Sequence, residues 1–329
     1  MLSRVADSLY WMSRYLERAE HTTRLLDVNL NLMLDESPSS ADRRWQRVLQ
    51  ALGQPKDVEW TGDPYALVRA LTFDTNIKVS ILSCTISARE NSRHVREQIS
   101  TEMWHRLNSL YLQVTSPKVQ RGLDPDALMA GTEQQPTEFL QQVMEGVHQF
   151  QGVTDSTMSH GEGWQFIQVG RYIERASATA MLLEAYHEDL WGHPDHIPEG
   201  NEYLDWMGLL RSATAFEAYC KVYTADLTPD RILEFLLLDE EFPHSLRFAI
   251  DGLQHALEAI HGESGKSRAE PLRRLSGRLQ SLLSYSSVDE IKNQDVVAYL
   301  RNIQLQCGAI HDMIYELYVD YSIQAALAG

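Results

Sequence analysis

Two stretches of this chain carry nearly the same charged sextet: Arg14-Tyr15-Leu16-Glu17-Arg18-Ala19 and Arg171-Tyr172-Ile173-Glu174-Arg175-Ala176. Laid over one another, Leu9 to Asp27 and Phe166 to Glu184 also share Thr22, Leu25 and Leu26 with Thr179, Leu182 and Leu183. Each sextet sets two guanidinium groups around one carboxylate. Planar guanidinium forks match the paired oxygens of carboxylates and phosphates, so this chemistry is anion binding. Glu17 and Glu174 then orient the arginines, accept a substrate amine, or serve as general bases. His160, with Glu162 two residues on, is a further candidate base, and a cap or turn role suits its Ser-His-Gly setting equally. The competing account is structural. Exposed ion pairs contribute about 0–1 kcal/mol, whereas losing one partner of a buried pair costs about 3–5 kcal/mol. Spacing alone leaves both accounts open.

The elements that must hold these groups read as helices. At about 100° per residue, Val5, Leu9, Met12, Leu16, Ala19, Leu26 and Leu30 make one apolar stripe. Arg14, Glu17, Arg18 and His21 lie opposite, and Leu25, Val28 and Leu32 continue that face. The second copy behaves alike, with Phe166, Val169, Ile173 and Ala180 against Ile167, Arg171, Glu174 and Leu182. A helix apolar on both sides is buried on both. The triads are therefore expected indoors, converging on one basic hollow.

A third basic set, Arg89, Arg93 and Arg96, shares a helical face that continues to Ser100 and Trp104, with Glu90 and Glu97 beside it. Like charges at this spacing repel unless carboxylates or a bound anion meet them. A faint echo of this segment near Glu240 to Arg247 brings Arg247 into the same candidate surface. Two echoes in the same order point to an internal duplication, with halves of about 1–135 and 136–329.

Helical periodicity dominates the whole chain, and no alternating strand pattern appears. Helices are predicted at about Ser3–Leu34, Arg44–Leu52, Asn76–Val114, Thr137–Ser159, Gly163–Trp191, Tyr203–Tyr223 and Pro229–Leu238. Beyond Pro243 helices alternate with a polar break at Gly262–Ser267 and close with Asp289–Ala326. Turn-rich stretches fall at Gly53–Pro64, Ser116–Pro136 and Gly192–Gly200. The expected fold is an all-α, multi-helix bundle of two similar halves related by a pseudo-twofold axis.

Composition narrows the function classes. With 29 Lys and Arg against 46 Asp and Glu, the formal charge is −17, which argues against a nucleic-acid grip. No run approaches the ~20 apolar residues of a membrane span. Cys84, Cys220 and Cys307 are too scattered for a metal or redox motif and read as packed, reduced thiols. The start of the chain does not resemble a secretory signal, and a cytoplasmic location is expected. Glu102, Glu145 and Glu258 each precede a histidine by three residues, a di-iron spacing. With 12 histidines in a helix-rich chain such pairs arise partly by chance, and no metal and no cofactor are expected. Walker-type loops and nucleophile elbows are missing, so ATP binding by this chain is not expected.

The residues that carry these features resemble the bacterial alpha-E family. The resemblance runs through Leu2-Ser3-Arg4-Val5-Ala6-Asp7 into the first Glu-Arg motif, then Ala88-Arg89-Glu90-Asn91, Val95-Arg96-Glu97 and Trp104. It resumes at Ser159-His160-Gly161-Glu162-Gly163-Trp164, Gly170-Arg171-Tyr172, Ala215-Phe216-Glu217 and Phe242-Pro243. Ser92 and Lys221 depart from the family's Ala and Arg. The resemblance implies a single all-helical domain over residues 1–329, with Glu90, Asn91 and Glu217 as supporting residues. It also implies two partners, a circularly permuted ATP-grasp ligase and a transglutaminase-like cysteine peptidase, with a peptide or amino-acid substrate. The expected role is an accessory, substrate-binding protein holding an anionic group on Arg14, Arg18, Arg89, Arg93, Arg96, Arg171, Arg175 and Arg247. The alternative is an enzyme of amide-bond formation or transfer that uses Glu17 or Glu174 as base.

Overall fold

A computed structural model describes residues 1–33, 38–122, 136–190, 202–224, 226–264 and 269–319. Among the described residues every regular element is helical and no strand occurs, so the fold is all-α. The helices are α1 (Ser3–Leu32), α2 (Pro38–Ala51), α3 (Pro64–Phe73), α4 (Ile81–His94), α5 (Thr101–Val114), α6 (Pro117–Gly122) and α7 (Pro136–Thr157). They continue with α8 (Glu162–Leu190), α9 (Glu202–Ser212), α10 (Phe216–Tyr223), α11 (Pro229–Leu238) and α12 (Leu246–Ser264). The last are α13 (Glu270–Tyr285), α14 (Val288–Lys292) and α15 (Val296–Ile314), which ends in a π-turn at Tyr315–Val319. The expected loop at Gly192–Gly200 lies outside the described residues, as does most of Ser116–Pro136.

The chain divides into two compact units. One comprises Met1–Arg14 and Ser159–Gly329, the other Tyr15–Met158, so α1 contributes residues to both. In the first, α12 and α15 lie along α8, and α13 packs on α12 and α15. The apolar residues of α8 are buried on both its faces, among them Phe166, Ile167, Val169, Ile173 and Leu182. Two glycines permit close helix contacts there. A Cβ on Gly170 would stand 2.3 Å from the Tyr10 carbonyl oxygen of α1, and one on Gly252 of α12 would stand 2.6 Å from the Tyr172 ring of α8.

In the second unit α5 packs against α7 and α4, and α3 against α4. Local caps explain where these helices begin. Asp63 accepts the backbone N–H groups of Tyr65 and Ala66 ahead of Pro64, which starts α3. Ser80 and Ser100 accept from Ser83 and Met103, starting α4 and α5 separately. The helical region expected across Asn76–Val114 is thus two helices, broken between His94 and Thr101.

Candidate functional site

The two copies of the charged motif touch. Ser13 donates its hydroxyl to the Ile167 carbonyl oxygen at 2.6 Å, close to where Gly170 admits the Tyr10 backbone. This registration of α1 on α8 brings Arg14 Nε to Glu174 Oε2 at 2.7 Å, with side chains only 12% and 9% exposed. The same guanidinium donates to the Tyr10 hydroxyl at 3.2 Å and lies 4.7 Å from the centre of the Trp11 ring. Tyr10 in turn hydrogen-bonds His311 Nδ1 of α15 at 2.8 Å, and the two rings stack. Cys307, one turn before His311, has its thiol pushed up to about 12 by burial. It stays protonated at neutral pH and cannot serve as a nucleophile.

The remaining motif residues of the first unit fasten the α8 helix to its neighbours. Arg175, itself buried, donates to the Pro243 carbonyl oxygen at 3.1 Å, and Thr179 donates to that of His244 at 3.3 Å. Arg171 reaches Gln168 Oε1 at 3.3 Å. Arg247 meets Glu240 at 2.6 Å, the Leu238 carbonyl at 3.4 Å and Asp251 at 3.9 Å. That set ties the α11–α12 turn to the first turns of α12.

In the second unit the charges on α1 are also indoors. Glu17 is 2% exposed, and Arg18 lies 5.8 Å from the Tyr15 ring centre. One turn on, Glu20 is buried and pairs with Arg24 on its own helix, with His148 Nε2 at 3.3 Å and with Gln151 Nε2 at 3.1 Å. The hydrogen bond to Glu20 raises the His148 pKa, outweighing the opposing effect of burial. This Glu20–Arg24–His148–Gln151 network was not foreseen. Glu20 and Arg24 stand at the i, i+4 spacing that signals a pair, but nothing local names His148 as their partner. Arg44 and Arg47 of α2 are likewise buried and were not foreseen. His148 carries one of the di-iron-type spacings, yet no group of three or more metal-ligating side chains occurs among the described residues.

The third basic set is only partly on one face. α4 ends at His94, so Arg96 lies beyond the helix that carries Arg89 and Arg93. Arg89 and Arg96 nonetheless converge on Trp104, at 5.6 and 5.7 Å from its ring centre. Arg89 also lies 4.3 Å from the Tyr111 ring centre and donates to Asn108 Oδ1 at 2.9 Å. Glu90 meets Arg89 at 3.4 Å and Arg93 at 3.6 Å, and Arg93 remains 68% exposed. Aromatic faces and one carboxylate thus offset the repulsion expected of the three cations. Asn91 turns back to the Ser87 carbonyl at 2.9 Å, and Glu217 is exposed in the first turn of α10. His160 is exposed in the turn before α8 and stacks on Trp164 at 4.1 Å, while Glu162 pairs with the Met1 amino group at 2.7 Å.

A family model described as "a predicted alpha-helical domain with a conserved ER motif", Alpha-E, matches residues 1–319. The chain belongs to the Alpha-E family. Among curated proteins it is similar to an uncharacterised protein of Mycobacterium bovis, 25% identical over 99% of this chain. Two uncharacterised proteins of Mycobacterium tuberculosis match at 25% and 24% identity over the same share. This Alpha-E chain spans 37% of the length of each of these relatives. No solved structure matches it.

Proposed function

We propose that this Alpha-E chain is an accessory, substrate-binding protein of an ATP-grasp peptide-ligase and transglutaminase-like peptidase system. In this reading the arginines of the repeated motif, Arg14, Arg18, Arg171 and Arg175, take an anionic carboxylate or phosphate group of a peptide or amino-acid substrate. Arg89, Arg93, Arg96 and Arg247 extend the basic character, and the repeat is an internal duplication whose halves follow a pseudo-twofold axis. The observation that carries the reading is Arg14 held by Glu174 across the two motif copies, in a buried and aromatic setting. A guanidinium fixed by a carboxylate, a hydroxyl and an indole face is pre-oriented, which is what recognition of a planar anion requires.

The test pairs the purified chain with the ligase and peptidase and measures retention of partner and coupled ligation. Arg18→Ala and Arg175→Ala are expected to abolish coupled activity. Arg175→Lys, which keeps the charge but loses the fork, is expected to recover the fold but little of the activity. Variants that keep fold, partner binding and coupled activity would refute the reading.

A further inference from the structure

A cavity of about 260 Å³ lies between α8 and α12, away from the motif arginines, and its lining has a consistent chemistry. Trp164, Tyr172 and Phe248 supply aromatic walls, and Gln165, Glu240 and Asp251 supply polar groups. Its shape follows from Gly252, whose missing side chain lets the Tyr172 ring lie against α12, where it meets Phe248 edge-on at 6.2 Å. Trp164 is held from outside by the His160 ring stacked on it.

The charge balance is negative. Glu240 and Asp251 share a single cation, Arg247, which sits 2.6 Å from the first and 3.9 Å from the second. Asp251 Oδ1 also accepts from Gln280 at 2.9 Å, so this carboxylate is held in place. Gln165 Oε1 and Trp164 Nε1 are both closed off from solvent without a hydrogen-bond partner, so the charge the cavity offers is that of Glu240 and Asp251. Aromatic faces attract cations. At this volume the cavity is below the ~300–1,000 Å³ of drug-sized sites, so it takes a group the size of a side chain.

We infer that this cavity is a binding site for a primary ammonium group on a short apolar stem, the Asp251 carboxylate accepting its hydrogens between the Trp164 and Tyr172 rings. A primary ammonium is all donor and no acceptor, which suits an aromatic pocket of net negative charge. The inference shares Arg247 with the anion reading but uses none of Arg14, Arg18, Arg171 and Arg175, so its failure leaves the reading of those four untouched.

Isothermal titration of the full chain tests it, with benzylammonium as probe and benzyl alcohol as its neutral counterpart. Saturable binding of the ammonium alone is expected, weakened about fivefold or more by Asp251→Asn and by Trp164→Ala. Weakened binding in Asp251→Asn beside an unchanged melting temperature separates loss of the site from loss of fold. An acetylated lysine tripeptide amide forms a second arm: tighter binding than benzylammonium identifies a peptide-borne lysine as the source, weaker binding a free amine. No saturable binding of benzylammonium, equal binding of benzyl alcohol, or unchanged affinity in Asp251→Asn each overturns the inference.

Discussion

Breaking the Arg14–Glu174 pair is the sharpest probe of the charged motif. Arg14→Met keeps most of the apolar stem and removes the guanidinium. Glu174, 9% exposed and 2.7 Å from Arg14, then stays indoors without that cation. At these exposures the pair falls in the buried regime, where removing one partner costs about 3–5 kcal/mol rather than the 0–1 kcal/mol of a surface pair. The indole face at 4.7 Å adds a cation–π contribution of about 0.5–2 kcal/mol, which places Arg14→Met toward the upper end. Replacing both partners, Arg14→Met with Glu174→Leu, removes the stranded charge as well and is expected to restore most of the loss. Urea unfolding followed by far-ultraviolet circular dichroism gives the four corners of the double-mutant cycle. Single variants within about 1 kcal/mol of the parent would refute the buried-pair account. A double variant as unstable as the worse single one would show that packing, not pairing, sets the cost.

His148 should make stability depend on pH. Its folded pKa is raised above 6.5 by Glu20, so its contribution is complete below about pH 6.5 and fades as pH rises through the folded value. The melting-temperature gap between the parent and His148→Gln is therefore expected to be wide below about pH 6.5 and to narrow as pH rises beyond it; a constant gap would contradict the Glu20 hydrogen bond. Gly170→Ala gains up to about 1 kcal/mol of helix propensity, but its Cβ would press to 2.3 Å from the Tyr10 carbonyl oxygen. Overpacking at about 1–3 kcal/mol wins, so a lowered melting temperature is expected, and a raised one would disprove the close approach. In native thiol titration Cys220 is expected to react first, since Cys84 and Cys307 are buried and the Cys307 thiol is pushed up to about 12. Rapid labelling of Cys307 would contradict that burial.

The helices that carry the motif were legible because their apolar residues run along both sides. α1 begins at the expected Ser3 and ends two residues short of the expected Leu34, and α11 occupies the expected Pro229–Leu238. The departures come where a short local signal competes with composition. Asp63-Pro64 is a cap followed by a first-turn proline, but it closes a turn-rich stretch, and α3 was not expected. The stretch from Arg89 to Arg96 looks helical throughout, but α4 ends at His94 and Ser100 restarts the chain as α5. Charged partners were the least legible part. Arg14 and Glu174 lie 160 residues apart, and Glu20 and His148 lie 128 apart, so no spacing rule could pair them.

Why the motif is charged at all follows from what apolar contact cannot do. Two helices packed through leucines and alanines can slide by one turn, about 5.4 Å, with modest loss of apolar burial. The same slide would carry Arg14 away from Glu174, Ser13 away from the Ile167 carbonyl, and a side chain toward the gap that Gly170 leaves for Tyr10. A buried ion pair adds little net stability, but it makes the wrong register expensive. The Tyr10–His311 hydrogen bond extends that register to α15. An anion binding at Arg14 has therefore to join this arrangement rather than displace Glu174, because displacement would strand a buried carboxylate at about 3–5 kcal/mol. Under the proposed anion reading, fixing helix register and presenting a pre-oriented guanidinium would be one requirement, met by the same residues.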